Sequence, residues 1–251
     1  MKTKIPKYAL VTGAGNGIGK AICLHLEKKG YYIIAVSRNE NHLEEIRSSL
    51  VNKEHLFFSA DLITKNGTKG LLEFLQKNAM PHVVINNLRT PSERKKLIGL
   101  SSSIVDINIK ENIDHLLVIM KPVIEFQREQ KFGRWVGVGS MSNYFGVPGM
   151  AIYNMQKSIL EQLMRTLATE EGKHGITANI VLPGLISTPS VLENYSTEEF
   201  NLRSNQNVLQ RIGTPDEVAA AVAFLASEES SYITGITLPV NGGNHLAWHF
   251  L

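Results

Sequence analysis

Short apolar runs alternate along the chain with longer stretches in which apolar positions recur every three or four residues. The short runs predict strands at Tyr8–Thr12, Tyr31–Val36, His55–Ser59, His82–Asn86, Arg134–Val138, Thr177–Leu182 and Thr237–Val240. Several, such as Ile33-Ile34-Ala35-Val36, are continuously apolar, as strands covered on both faces are. The longer stretches predict helices at Ile18–Lys29, His42–Leu50, Gly70–Lys77, Ile109–Gln127, Ala151–Glu171 and Pro215–Ala226. Strand–helix alternation of this kind predicts an α/β fold, a Rossmann-type doubly wound parallel sheet with helices on both faces. No repeat or linker interrupts it, so one domain is expected over residues 1–251. Thr214-Pro215-Asp216-Glu217 reads as a capped helix start with acids in the first turn. Pro122 is expected to kink or restart its helix. The polar segment 188–211 fits no strand and reads as a substrate lid with short helices.

Composition narrows the function classes. A net charge of +3, without a long basic run, gives no footprint for nucleic acid. The short tract Arg94-Lys95-Lys96 reads as solvated. The single cysteine, Cys23, allows no internal disulfide and lies in a helical pattern as a buried thiol. The basic start Met1–Lys7 leads straight into the first strand, and no long apolar segment supports a signal peptide or membrane span. A cytoplasmic protein is the expectation.

The first strand runs into Thr12-Gly13-Ala14-Gly15-Asn16-Gly17-Ile18-Gly19, which opens a helix. Glycines there let backbone approach a pyrophosphate, and the helix start presents free N–H groups and a positive dipole end. A dinucleotide site is therefore expected over Thr12, Gly13, Gly15, Asn16, Gly17, Ile18 and Gly19. The second strand ends Val36-Ser37-Arg38, with no acid before Glu40. Arg38 suits a 2′-phosphate by charge-assisted contact, with Ser37 as a neutral donor, which favours NADPH/NADP+ over NADH. Arg38 carries that preference mostly by itself.

Tyr153 and Lys157, four apart at a helix start, share one helix face. A phenol with a pKa of about 10 is a poor base at neutral pH, and a nearby ammonium favours the phenolate. The strand Trp135–Val138 ends at Gly139-Ser140, thirteen residues before the tyrosine. In this serine–tyrosine–lysine order and spacing the chain resembles the short-chain dehydrogenase/reductase family. Asp61-Leu62, Asn86-Asn87, Pro183-Gly184-Leu185-Ile186-Ser187-Thr188, Arg211–Pro215, Ile233-Thr234-Gly235 and Asn241-Gly242-Gly243 extend the likeness over nearly the whole chain.

The resemblance implies an oxidoreductase that passes a hydride between NADP(H) and a carbonyl or secondary alcohol. Tyr153 would be its general acid or base, Lys157 would lower the tyrosine pKa and hold the nicotinamide ribose, and Ser140 would bond the substrate oxygen. Asn108 would order a water relay. Asp61 and Leu62 would lie at the adenine, Asn86 on the adenosine side, and Pro183, Gly184, Ile186 and Thr188 near the nicotinamide. Family members commonly form dimers and tetramers, so a homo-oligomer, with homotetramer as the expected form, is implied. The small-molecule carbonyl or alcohol is then the partner, without nucleic acid or membrane. No metal is expected, since the tail histidines lack ligand spacing.

The chain departs from the family pattern at Leu88-Arg89, where alanine and glycine usually follow the paired asparagines. Arg89 either reaches an anionic substrate group or points outward into solvent. The apolar tail His245–Leu251 packs within its own subunit or across a subunit contact. Imine reduction, elimination or epimerisation on the same fold, and a non-catalytic NADPH-binding sensor, stand as alternative functions.

Overall fold

A computed structural model describes residues 6–90, 92 and 94–246. Seven strands form one sheet: β1 (Tyr8–Thr12), β2 (Tyr32–Ser37), β3 (Leu56–Ser59), β4 (Val83–Asn86), β5 (Gly133–Val138), β6 (Ile176–Pro183) and β7 (Thr237–Val240). Their order is β3-β2-β1-β4-β5-β6-β7, and every neighbouring pair is parallel. Parallel strands require crossovers, which the helices supply. These are α1 (Gly17–Lys28), α2 (Glu40–Ser49), α3 (Lys65–Asn78), α4 (Ser102–Gln130), α5 (Ala151–Glu171), α6 (Pro189–Asn194), α7 (Thr197–Ser204) and α8 (Pro215–Leu225).

Strand side chains alternate between two apolar layers, which is why the strands read as continuous apolar runs. Ala9 and Val11 join Ile22 and Leu26 of α1, Ile46 of α2 and Val222 of α8 on one face. Leu10 joins Leu71 of α3, Ile119 of α4 and Met164 of α5 on the other. The chain winds outward from β1 to β3, then crosses back to β4 and winds outward the other way. The crevice at that reversal, beyond the carboxyl ends of β1 and β4, is where open α/β sheets bind ligands.

The seven strands stand where periodicity puts them, within one or two residues. The helix starts differ more. α3 begins at Lys65, five residues before the apolar pattern does, because the Thr64 hydroxyl accepts from the Gly67 N–H and caps a glycine-containing first turn. α4 begins at Ser102, capped by Ser101, and runs unbroken through Pro122 instead of restarting there. The segment after β6 carries two short helices, α6 and α7, the second closed by a reciprocal Ser196–Glu199 capping box. Trp135 of β5 is buried, and its indole N–H donates to Gln127 Oε1 at 2.8 Å. Gln127 Nε2 in turn donates to the carbonyls of Pro81 and His82, both at 3.1 Å, tying α4 to β4 and β5.

Candidate active site

The turn after β1 is shaped by glycines at positions no side chain could fill. Gly13 has φ +63° and Gly17 φ +50°, both left-handed. Gly19 packs so closely that a Cβ there would stand 2.1 Å from the Gly13 carbonyl oxygen. The Asn87 amide donates to that same oxygen at 2.9 Å and stitches the loop to the end of β4. Asn16 caps α1 in extended conformation without a side-chain bond, and the first turn of α1 carries no acid. The start of α1, with Asn16, Gly17 and Ile18 at the crevice and no side chain capping its N–H groups, is thus suited to an anion.

The crevice is a cleft of about 1250 Å³. Gly13, Gly15, Asn16, Gly17 and Ile18 border it from the first turn, and Ser37 and Arg38 from the end of β2. Asp61 and Leu62 follow β3, and Pro183, Gly184, Ile186 and Thr188 follow β6. Ser140, Tyr153 and Lys157 border the same cleft.

Four sequence-selected residues do not border it. Thr12 is buried, and its hydroxyl donates to Asn86 Oδ1 at 3.0 Å. Asn86 itself points into the sheet, where the same oxygen pairs with His115 Nε2 at 2.9 Å; Asn87 borders the cleft in its stead. Gly19 lies beneath the loop. The Asn108 amide donates to Ile104 of its own helix at 2.9 Å.

One turn further along α4, Asn112 is buried, and the sequence reading missed it. Its amide donates to the Gln156 carbonyl at 3.0 Å, next to Lys157, and its oxygen accepts from the Thr90 hydroxyl at 3.3 Å. Asn108 and Asn112 are four apart on one helix face, so spacing alone could not separate them.

The side chains expected to carry the chemistry lie on or beside regular elements. Ser140 stands two residues beyond the end of β5, and its hydroxyl accepts from the Ser142 N–H at 3.2 Å and lies 2.9 Å from the Ser142 hydroxyl. Tyr153 and Lys157 share the first turns of α5, with the ammonium 6.0 Å from the phenol ring centre. Lys157 Nζ donates to the Val138 carbonyl at 3.0 Å and the Leu88 carbonyl at 3.4 Å. Burial pulls its pKa from 10.5 down to about 8, and the nearby Arg89 guanidinium adds to the fall. Burial also lowers His115 to about 4, with Lys157 contributing, so its imidazole is neutral.

The lysine shift sets a pH dependence of stability. Between about pH 8 and 10.5 the unfolded chain binds more protons at this position than the folded chain, so folding stability rises with pH across that window. Lys157→Met removes the contribution. The melting temperature of the cofactor-free variant, relative to the parent, is therefore highest below pH 8 and falls steadily toward pH 10.5. A difference that stays constant from pH 7 to 10.5 in differential scanning fluorimetry would contradict the buried, depressed ammonium.

Among the described residues no helix is long and apolar enough to cross a membrane, and no group of His, Cys, Asp or Glu is assembled to hold a metal. The last residues of the tail, Ala247–Leu251, lie outside the described residues.

A family model described as enoyl-(acyl carrier protein) reductase matches residues 13–245. The chain is 36% identical over 241 residues to the 3-oxoacyl-(acyl-carrier-protein) reductase of Buchnera aphidicola subsp. Schizaphis graminum, covering 96% of this chain and 98% of that one. It is 34% identical over 248 residues to the acetoacetyl-CoA reductase of an Acinetobacter species, again covering 96% and 98%. Among solved structures, a putative betaketoacyl-ACP reductase superposes with a TM-score of 0.84 at 25% identity, covering 97% of this chain and 100% of that one. The NADPH dependent reductase YwfH, involved in bacilysin biosynthesis, reaches 0.89 over 95% and 98% at 22% identity, a likeness of fold.

Proposed function

We propose, from the premise that this chain belongs to the short-chain dehydrogenase/reductase family, that it is an NADPH-linked reductase of ketones with Tyr153 as proton donor. The observation that carries the reading is the convergence of Ser140, Tyr153 and Lys157 on the cleft that the glycine turn also borders. The relatives' names point the same way, since they are reductases of 3-oxoacyl and acetoacetyl groups.

The residues present fit a dinucleotide. The turn from Gly13 to Ile18 and the free start of α1 suit a pyrophosphate, and the left-handed glycines leave backbone where a Cβ would intrude. Asp61 and Leu62 suit the adenine end, and Pro183, Gly184, Ile186 and Thr188 the nicotinamide end. When bound, the cofactor supplies the hydride.

This chain's own groups handle the oxygen and the proton. Ser140 donates a hydrogen bond to the substrate oxygen, and Tyr153 delivers a proton to it, so two preplaced donors meet the charge as it develops. Lys157, cationic near neutral pH, favours the phenolate that Tyr153 leaves behind and lowers the barrier to proton loss. The reloading role expected of Asn108 passes to Asn112, which is buried against the turn that carries Lys157.

Arg38 supports NADPH over NADH, because it is exposed at the cleft edge beyond β2, and no acid stands beside Ser37 to repel a 2′-phosphate. Arg38→Ala is expected to raise the Kd for NADPH by about 10- to 100-fold, the worth of one charge-assisted contact. The Kd for NADH should move by less than about threefold. Titration calorimetry decides, and equal losses for both cofactors would remove the 2′-phosphate role. The reaction is tested by following NADPH and NADH consumption over ketones, aldehydes and ketoacyl thioesters. NADPH-linked turnover is expected. Tight NADPH binding with no turnover on any member would instead favour a cofactor-binding sensor.

A further inference from the structure

Five arginines border the cleft. Arg38 lies at the end of β2, Arg211 is closed onto Glu217, and Arg203 stacks on Tyr195 at 4.7 Å. Arg89 and Arg94 remain, both exposed, and among the described residues neither has a hydrogen bond or an ion pair. Among the described residues the cleft offers them no acid of its own. Its bordering carboxylates are Asp61, beyond β3, and Glu217, already held by Arg211.

The segment that carries the two arginines is tied to α5 at both ends. The Leu88 carbonyl accepts from Lys157 Nζ, and the Lys95 N–H donates to the Gly149 carbonyl at 3.0 Å, just before the turn into α5. Arg89 is therefore one residue from the carbonyl that holds the catalytic ammonium. Arg94 Cβ lies 3.8 Å from where a Cβ on Gly149 would stand. Phe145, Val147 and Met150 border the same end of the cleft with apolar surface.

Holding a guanidinium near a buried ammonium is electrostatically unfavourable, and it adds to the burial that already lowers the lysine's pKa. An anion between or beside them reverses the sign of that interaction. A planar guanidinium matches a carboxylate with two parallel hydrogen bonds.

We propose that Arg89, with Arg94 beside it, receives a carboxylate of the substrate, so that the compound reduced here is a free keto acid with a short apolar chain. This rests on the reductase reading and adds the substrate class to it. The carboxylate takes no part in bond making. The ketone carbon gains a hydride and its oxygen the Tyr153 proton, which gives the hydroxy acid. A thioester of the same acyl group lacks the carboxylate and leaves the guanidinium unmatched.

The test compares 2-keto and 3-keto acids of four to eight carbons with their methyl esters, on the full chain with NADPH. Two quantities are read: kcat/KM, and calorimetric binding of the acid to the NADPH-loaded protein. Arg89→Gln should lower the acid-to-ester ratio of kcat/KM by about 10- to 100-fold, with Arg89→Lys intermediate. Arg94→Gln should lower it by a smaller factor. Acid binding should weaken in parallel in Arg89→Gln.

Equal losses for acid and ester, or a wild-type preference for ester, would overturn the assignment and leave the reductase reading standing. A rise in NADPH Kd as large as the loss of acid binding would also overturn it, by moving the arginine to the cofactor's phosphates. Acid binding that depends on Arg89 without hydride transfer to any acid or ester would keep the carboxylate site and sink the reductase reading.

Discussion

Tyr153→Phe lowers kcat for ketone reduction by about 10²- to 10⁴-fold, the range that loss of a positioned proton donor spans. The substitution removes one oxygen and keeps the ring, so packing at the start of α5 is retained. The substrate oxygen is then left with the Ser140 hydroxyl as a donor and must take its proton from water. Lys157 stays in place, held by the Val138 and Leu88 carbonyls, but has no phenol to act on. The loss should therefore fall on kcat, with a melting temperature within about 2 °C of the parent, a difference of no more than about 0.5–1 kcal/mol for a chain this long. Steady-state rates with NADPH at saturating substrate, beside a melting curve, give both readings. Unchanged turnover would remove Tyr153 from the chemistry and with it the mechanism argued above.

Trp135→Ala has the largest expected effect on folding. The indole is almost fully buried in the layer shared by α3, α4 and α5. Truncating a buried tryptophan costs about 3–5 kcal/mol through lost transfer energy and the cavity left behind. Gln127 Oε1 also loses its donor at a fully buried position, for about 1–3 kcal/mol more. The melting temperature should fall by roughly 8–16 °C or more. Trp135→Phe separates the two contributions, since it keeps most of the apolar volume but leaves the glutamine unsatisfied. A drop for Phe close to that for Ala would locate the stability in the hydrogen bond; a drop near zero would locate it in the packing.

The strands were legible because burial on both faces leaves an unbroken apolar signature, as in Ile33–Val36. Helix starts were less so, since a cap outweighs the residues that follow it: Thr64 carries α3 through Gly67 and Gly70. Pro122 does not restart its helix. It lies in a long helix whose Ile119 and Val123 are held in the core on either side of it, so packing outweighs the local penalty.

At the site, the glycine turn was legible from its place between a strand and a helix, and Ser140, Tyr153 and Lys157 from the resemblance of their order and spacing to the family's. The asparagines were not. Asn86 and Asn87 are neighbours at a strand end, where successive side chains point to opposite sides, and Asn87 is the one that reaches the cleft. Asn108 and Asn112 repeat at helical spacing, and burial distinguishes them. That Arg89 has no ion-pair partner among the described residues depends on where distant acids end up, which no local pattern records.

The reversal in strand order also bears on how the chain is made. β1 lies in the interior of the finished sheet, yet its Thr12 meets Asn86, 74 positions later in the chain. At ribosomal speeds of about 5–20 residues per second, that partner is synthesised some 4–15 s after β1. Until then β1 has no β4 to pair with, and an unpaired strand edge, with its free N–H and C=O groups, is a template for other chains. The arrangement that opens a binding crevice in the folded protein thus creates an interval of exposure during translation, and β4 is the segment whose arrival ends it.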